Sequence, residues 1–180
     1  SSDTAIVYWN PQPIVDLGLD IEVCSDQGVT LDAGNNTTDF TITWSDINGV
    51  VAQNQTTYDV QASGTYSVEV VNNASGCTES DTVEVIINPT PVINIGADQS
   101  LCGDERYSFA AGLGYANYIW YVNGNQGRDG YYPGQQGGFN FNGPNDEGNE
   151  VVVVVTNSEG CVSSDTAIVY WNPQPIVDLG

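Results

Sequence analysis

Four cysteines are the most reactive side chains in the sequence, and their placement is regular. Cys24 and Cys102 each stand four residues beyond an aspartate that closes a D/N-x-G-x-D segment, whereas Cys77 and Cys161 each follow a glycine in N-x-x-x-G-C or N-x-x-G-C. Four cysteines allow three pairings. The matched spacing favours Cys24 with Cys77 and Cys102 with Cys161, one bridge inside each repeat, which would place the chain in an oxidising compartment. Each such bridge closes more than fifty residues and would contribute on the order of 4 kcal/mol. Free buried thiols and a metal site are the alternatives, although the C-x-x-C clustering that zinc requires is absent.

Oxygen ligands are the second candidate. Asp16-x-Gly18-x-Asp20 and Asn94-x-Gly96-x-Asp98 each lie directly after a proline joint, where Asp16, Asp20, Asn94 and Asp98 could hold calcium. The competing reading is a turn in which Asp and Asn side chains accept backbone N–H groups. Histidine is absent and the cysteines are already assigned, so no Ser-His-Asp or Cys-His arrangement can be assembled. No acid pair recurs in the manner a glycosidase would need, and the expectation is that the chain is not an enzyme.

Twenty-three acidic residues face two arginines and no lysine, for a formal charge of -21. That field repels nucleic acid and anionic membranes. The longest apolar run, Val151 to Val155, falls far short of the roughly 20 residues of a membrane helix, so no membrane insertion is expected. No basic-then-apolar leader opens the sequence, and export and anchoring signals are expected outside this segment. A saline, extracellular setting would screen the self-repulsion.

The elements that must carry these residues repeat. Ser1–Gly18 recurs unchanged as Ser163–Gly180, a period of 162 residues, and inside it the joint Asn10-Pro11-Gln12-Pro13 returns as Asn88-Pro89-Thr90-Pro91. The pattern of a tandem array gives residues 1–10 as the closing strand of a preceding repeat, 11–88 as a first domain, 89–172 as a second, and 173–180 as the start of the next repeat. Short Val-, Ile-, Thr- and Tyr-rich runs bounded by Gly, Asn, Asp and Pro predict an all-β chain. Strands are expected at 14–17, 29–32, 40–44, 57–60, 64–71 and 78–87, then at 93–95, 107–110, 116–122, 150–156 and 162–171, the spacing of tandem immunoglobulin-like β-sandwich domains. Trp44 and Trp120 are expected in the two cores, and Ser63-Gly64-Thr65-Tyr66 reads as a corner whose tyrosine hydroxyl returns to the backbone. A lone closing strand at Ser2–Trp9 is not stable in water, so it should pair with another copy or be disordered.

Val151–Val155 is apolar on both faces, unlike the alternating Tyr66–Val71. Its outer face is expected to be covered by the Gly/Tyr-rich insertion 123–149 or by a neighbouring chain. Val151, Val153, Val155, Tyr131 and Tyr132 are the interface candidates. A rival reading is a sugar-stacking platform of Tyr115, Tyr118, Tyr121, Tyr131 and Tyr132.

The stretches CSDQGVTLDAG (24–34), ITWSD (42–46), SGTYSVEVVN (63–72), GCTESDTVEVIINP (76–89) and INIGADQSLC (93–102) resemble the tandem Ig-like or PKD-like repeats of giant Bacteroidota surface proteins. In that family such repeats form stalks and filaments exported by type IX secretion, including gliding-motility adhesins and grappling-hook filaments. The resemblance implies a secreted, cell-surface structural segment whose partners are other copies of itself and neighbouring repeats. Asp3-Thr4-Ala5, Asp81-Thr82-Val83 and Asp165-Thr166-Ala167 resemble the D-T-apolar O-glycosylation acceptor of that phylum, which implies modification of Thr4, Thr82 and Thr166. A good β-former in a strand is the alternative. The functional expectation is a mechanical stalk in an extracellular filament or adhesin; the alternative is a carbohydrate-binding adhesion module that meets glycans or another cell surface.

Overall fold

The computed structural model describes residues 2–7, 9–10, 12–103, 105–126, 138–142 and 149–172 and divides into two units, Ser1–Asn88 and Pro89–Gly180. Among the described residues every regular element is a strand. In unit 1 these are β1 (Ile21–Cys24), β2 (Val29–Asp32), β3 (Phe40–Asp46), β4 (Gly49–Gln53), β5 (Thr57–Val60), β6 (Gly64–Asn72) and β7 (Thr78–Asn88). A five-stranded sheet in the order β1-β7-β6-β3-β4 faces a β2-β5 pair. Period-two alternation turns Val68, Val70, Val83, Val85, Ile42 and Trp44 inward, all at most 1% exposed, against Val29, Leu31 and Val60 of the smaller sheet.

Unit 2 repeats the plan with β8 (Gln99–Cys102), β9 (Arg106–Ala110), β10 (Asn117–Val122), β11 (Asn125–Gln126), β12 (Gly138–Asn142), β13 (Asn149–Thr156) and β14 (Val162–Asn172). The order β11-β10-β13-β14-β8 faces a β12-β9 pair. Trp120 faces Val153 across the ladder as Trp44 faces Val68, and both tryptophans lie in the cores. The β10–β11 hairpin turns on Asn123 (φ 49°) and Gly124 (φ 75°), the left-handed pair that a two-residue hairpin loop requires.

Two expectations are corrected, and a third is met only in part by the described residues. Residues 14–17 and 93–95 are not strands; the Leu17 and Ile95 amides donate to aspartate carboxylates instead of a ladder, and the first strands are β1 and β8. The described part of the insertion, β12, pairs with β9 from Gly138↔Ala110 to Asn142↔Arg106. It therefore completes the second sheet, as β5 does beside β2, whereas residues 127–137 and 143–148 of the insertion lie outside the described residues. Val151, Val153 and Val155 are fully buried in unit 2's own core, so they are not contact residues; the pleat turns Val152 and Val154 outward, where they are half-buried. Tyr131, Tyr132 and residues 173–180 lie outside the described residues.

Tyr66 behaves as a corner. Its hydroxyl donates to the Ala62 carbonyl oxygen at 2.8 Å, and burial pushes the phenol above its ordinary value, so it stays a donor. In unit 2, Val151 stands opposite Ala167 as Tyr66 stands opposite Val83. There a different tyrosine returns to the backbone, Tyr118 donating to Gly112 O at 3.2 Å.

The ten residues Ser1–Asn10 supply a control within the chain. Their copy, Ser163–Asn172, lies within β14 with Ala167 and Val169 fully buried, whereas the described residues of Ser1–Asn10 belong to no strand and expose Ile6, Val7 and Trp9 by 71%, 76% and 93%. The copy that forms a strand is the one seated between β13 and β8.

The two valine faces make a direct test. Val153→Ala should destabilise unit 2 by about 2–4 kcal/mol and Val154→Ala by less than about 1 kcal/mol in urea titrations. Equal losses would mean that the outer face is packed as tightly as the core.

Candidate functional site

The chemistry identified in the sequence converges on the segment that leads into each unit and on the last strand of that unit. In unit 1 the Leu17 amide donates to Asp81 Oδ2 at 2.7 Å, the Thr82 amide donates to Asp81 Oδ1 at 2.8 Å, and the Glu84 amide donates to Asp20 Oδ1 at 2.9 Å. One carboxylate of the strand thus holds the lead-in, and one carboxylate of the lead-in holds the strand. Beyond this reciprocal clamp, β1 pairs parallel with β7 from Ile21↔Val85 to Cys24↔Asn88, and the Ser25 amide closes the pairing on Asn88 O at 2.8 Å.

Unit 2 builds the same clamp from its own residues. The Ile95 amide donates to Asp165 Oδ2 at 2.7 Å and the Ile168 amide to Asp98 Oδ1 at 2.8 Å. β8 pairs parallel with β14 from Gln99↔Val169 to Cys102↔Asn172. The Leu17 and Thr82 amides hold the Asp81 carboxyl below the usual carboxylate range, as N–H bonds to the charged form should.

Of the four oxygen candidates for calcium, Asp16 accepts from the Gly18 amide at 2.9 Å and Asn94 from the Gly96 amide at 2.8 Å. Gly18 and Gly96 have φ of 80° and 98°, so each forms a tight Asx turn that only glycine adopts without strain. Asp20 and Asp98 are the clamp acceptors. No group of three or more His, Cys, Asp or Glu side chains gathers among the described residues. The turn alternative is the one whose hydrogen bonds are seen.

In the D-T-apolar tripeptides, Asp81 and Asp165 serve the clamp, a role that sequence reasoning missed. The available signal was the recurrence of one D-T-apolar tripeptide after each D/N-x-G-x-D segment, at Asp81 after Asp20 and at Asp165 after Asp98. Thr4, Thr82 and Thr166 are exposed. For the proposed sugar platform, Tyr118 is buried and Tyr115 donates to Val92 O at 2.7 Å while packing edge-on against Tyr118. These two tyrosines are structural, and Tyr121 is half-buried.

Cysteine states differ from the expected pairing. Cys24 and Cys161 are disulfide-bonded, whereas Cys77 and Cys102 are free, the first half-buried and the second exposed. One bridge inside each repeat is excluded by the length of the last strand. Cys24 faces Asn88 at the end of β7, whereas Cys77 precedes its first residue, Thr78, eleven positions earlier. The separation is roughly 30 Å or more, against the 7 Å or less between Cα atoms that a disulfide tolerates. Cys102 and Cys161 stand in the same relation along β14.

No protein-family model matches the chain, and no curated protein does. Among solved structures it is similar to the insect immune protein hemolin, at 12% identity and a TM-score of 0.54, over 91% of this chain and 48% of that one. An I-band fragment, I67–I69, of titin aligns over 92% of this chain and 67% of that one at 14% identity and a TM-score of 0.45. The fold is that of tandem immunoglobulin-like or fibronectin-III-like domains. No described helix is long and apolar enough to cross a membrane.

The clamp predicts a pH signature. Asp81 has the lower pKa when folded, so it adds stability above its unfolded value near 4, and this increment is lost as pH falls through the lower folded value. Wild type should exceed Asp81→Asn by on the order of 1 kcal/mol at pH 7, and the two should converge by roughly pH 2. A gap in urea midpoints that stays constant down to that pH would contradict the assignment.

Proposed function

We propose that the chain is a mechanical repeat segment of an extracellular filament or cell-surface adhesin. The observation that carries this reading is the duplicated clamp. In both units the lead-in chain is fastened by two carboxylate–amide bonds to the strand that leaves the unit, and the strand that follows the lead-in pairs with it in parallel.

A parallel pair in which tension enters at the start of one strand and leaves at the end of the other is loaded along the strand direction. All of its hydrogen bonds share that load and must break together, whereas an antiparallel hairpin pulled at its open end loses them one at a time. Proline joints favour an extended backbone before each unit, which suits a chain that spans distance. The resemblance to Bacteroidota surface repeats supports export by type IX secretion and contacts between copies, and the bonded cysteines support an oxidising location. Glycosylation at Thr4, Thr82 and Thr166 fits their exposure.

Single-molecule pulling tests the reading. Asp20→Ala with Asp81→Ala should lower the unfolding force of unit 1 and leave that of unit 2 unchanged, with about 1–3 kcal/mol lost per acceptor at equilibrium. Unchanged force in unit 1, or compact particles instead of thin rods in electron micrographs of the full-length array, would remove it.

A further inference from the structure

The cysteines of each unit stand at opposite poles of its last strand, so neither unit closes a bridge on itself. Each pole is also one side of a joint. Cys24 lies beside Asn88, the residue before Pro89. In unit 2, the Cys161 amide donates to Asn157 Oδ1 at 2.7 Å, and Asn157 Nδ2 donates to Pro89 O at 2.9 Å. Within its own unit, each of these cysteines therefore flanks the Asn88–Pro89 joint, and these are the two in the disulfide state.

The free pair flanks the other joint. Cys102 is in register with Asn172, the residue before Pro173. Cys77 closes the β6–β7 hairpin at the pole where Phe40 faces Asn72, and Phe40 lines one shallow cleft with Pro13 and Ile14, just after the Asn10–Pro11 joint. Since residues 172–180 repeat residues 10–18, these are two occurrences of a single joint type. Cys102 stands on its upstream side and Cys77 on its downstream side, as Cys24 and Cys161 do at Asn88–Pro89.

We propose that Cys102 of one 162-residue period bonds Cys77 of the period that follows it, so that every joint of the array carries one bridge. The oxidant is an external disulfide, either that of a dithiol oxidoreductase or oxidised glutathione. The Cys102 thiolate attacks one of its sulfurs and expels a thiolate, and the Cys77 thiolate then attacks the mixed disulfide and expels the second. One S–S bond forms and one breaks; two electrons and two protons pass to the external disulfide, which leaves as two thiols. The exposure of Cys102 suits it as the first attacker. A bridge at each joint would hold strongly acidic neighbouring units together against their repulsion and carry tension past the prolines.

This inference rests on the array reading proposed above, and thiol counting separates the two. A chain of residues 1–162 followed in frame by residues 1–180, equilibrated with a mixture of oxidised glutathione and excess reduced glutathione that returns unpartnered cysteines to thiols, then freed of glutathione, denatured and titrated with a thiol reagent, should show the same two free thiols as the single 180-residue chain. Peptide mapping should join Cys102 of the first period to Cys77 of the second. Cys102→Ser in the first period should expose one additional thiol, that of the second period's Cys77, with the circular dichroism spectrum unchanged. A doubled thiol count, a bridge within one unit, or Cys102–Cys77 linkage only between separate molecules would overturn the proposal. Compact particles in micrographs with an unchanged thiol count would instead remove the mechanical reading and leave the bridge.

Discussion

The structure depends on how the last strand of each unit is held. β7 and β14 are both eleven residues long; along one edge each pairs antiparallel with its hairpin partner, β6 or β13, and along the other with the short parallel strand β1 or β8. A parallel pairing of four residues is too short to persist alone. The aspartate bonds ahead of it fix the lead-in backbone against the same strand before the ladder starts. Because that strand runs the length of the unit, it also decides where the cysteines fall. One lies at its start and the other beside its end, so neither unit can pair its own two cysteines.

The charge of -21 is put to use in the same place. Carboxylates that would repel one another if clustered are spread out as acceptors for backbone amides: Asp81 and Asp165 on the strands, Asp20 and Asp98 on the lead-ins. Hydrogen bonds to a charged acceptor are stronger than neutral ones, and four such bonds replace ladder pairing at positions where proline and glycine interrupt the strand. The two units then differ mainly in how they fill their cores. Unit 1 uses the Trp44–Tyr58–Tyr66 aromatic chain, with ring centroids 6.0 and 5.6 Å apart. Unit 2 replaces Tyr66 by Val151 and packs Tyr107 edge-on against Phe109 at 4.8 Å.

Much of this was legible in the sequence. Period-two alternation located β2, β5, β6, β7 and β14 closely, and the tryptophans and the Tyr66 corner were readable because their burial is a local property of a strand face. What could not be read depends on tertiary placement. Val151–Val155 looks two-sided in sequence, yet only the pleat decides that Val151, Val153 and Val155 face inward. Ile14–Leu17 has the composition of a strand, but its partner is the side chain of Asp81, 64 positions away. The symmetry of cysteine spacing was real, but it described equivalence between units and not proximity within one. The N-terminal copy of this stretch shows the principle most plainly, since residues 163–172 lie within β14 while the described residues among 1–10 belong to no strand.

Amide hydrogen exchange in the native protein tests the clamp most directly. Leu17 and Ile95 lie outside any strand, yet their N–H groups should exchange as slowly as those of β7 and β14, because opening them requires releasing the last strand. Asp81→Ala should bring Leu17 to the rate of an exposed loop while Ile95 stays protected. If Leu17 and Ile95 already exchange at loop rates in the wild-type chain, the lead-in is not fastened to the last strand and the account fails.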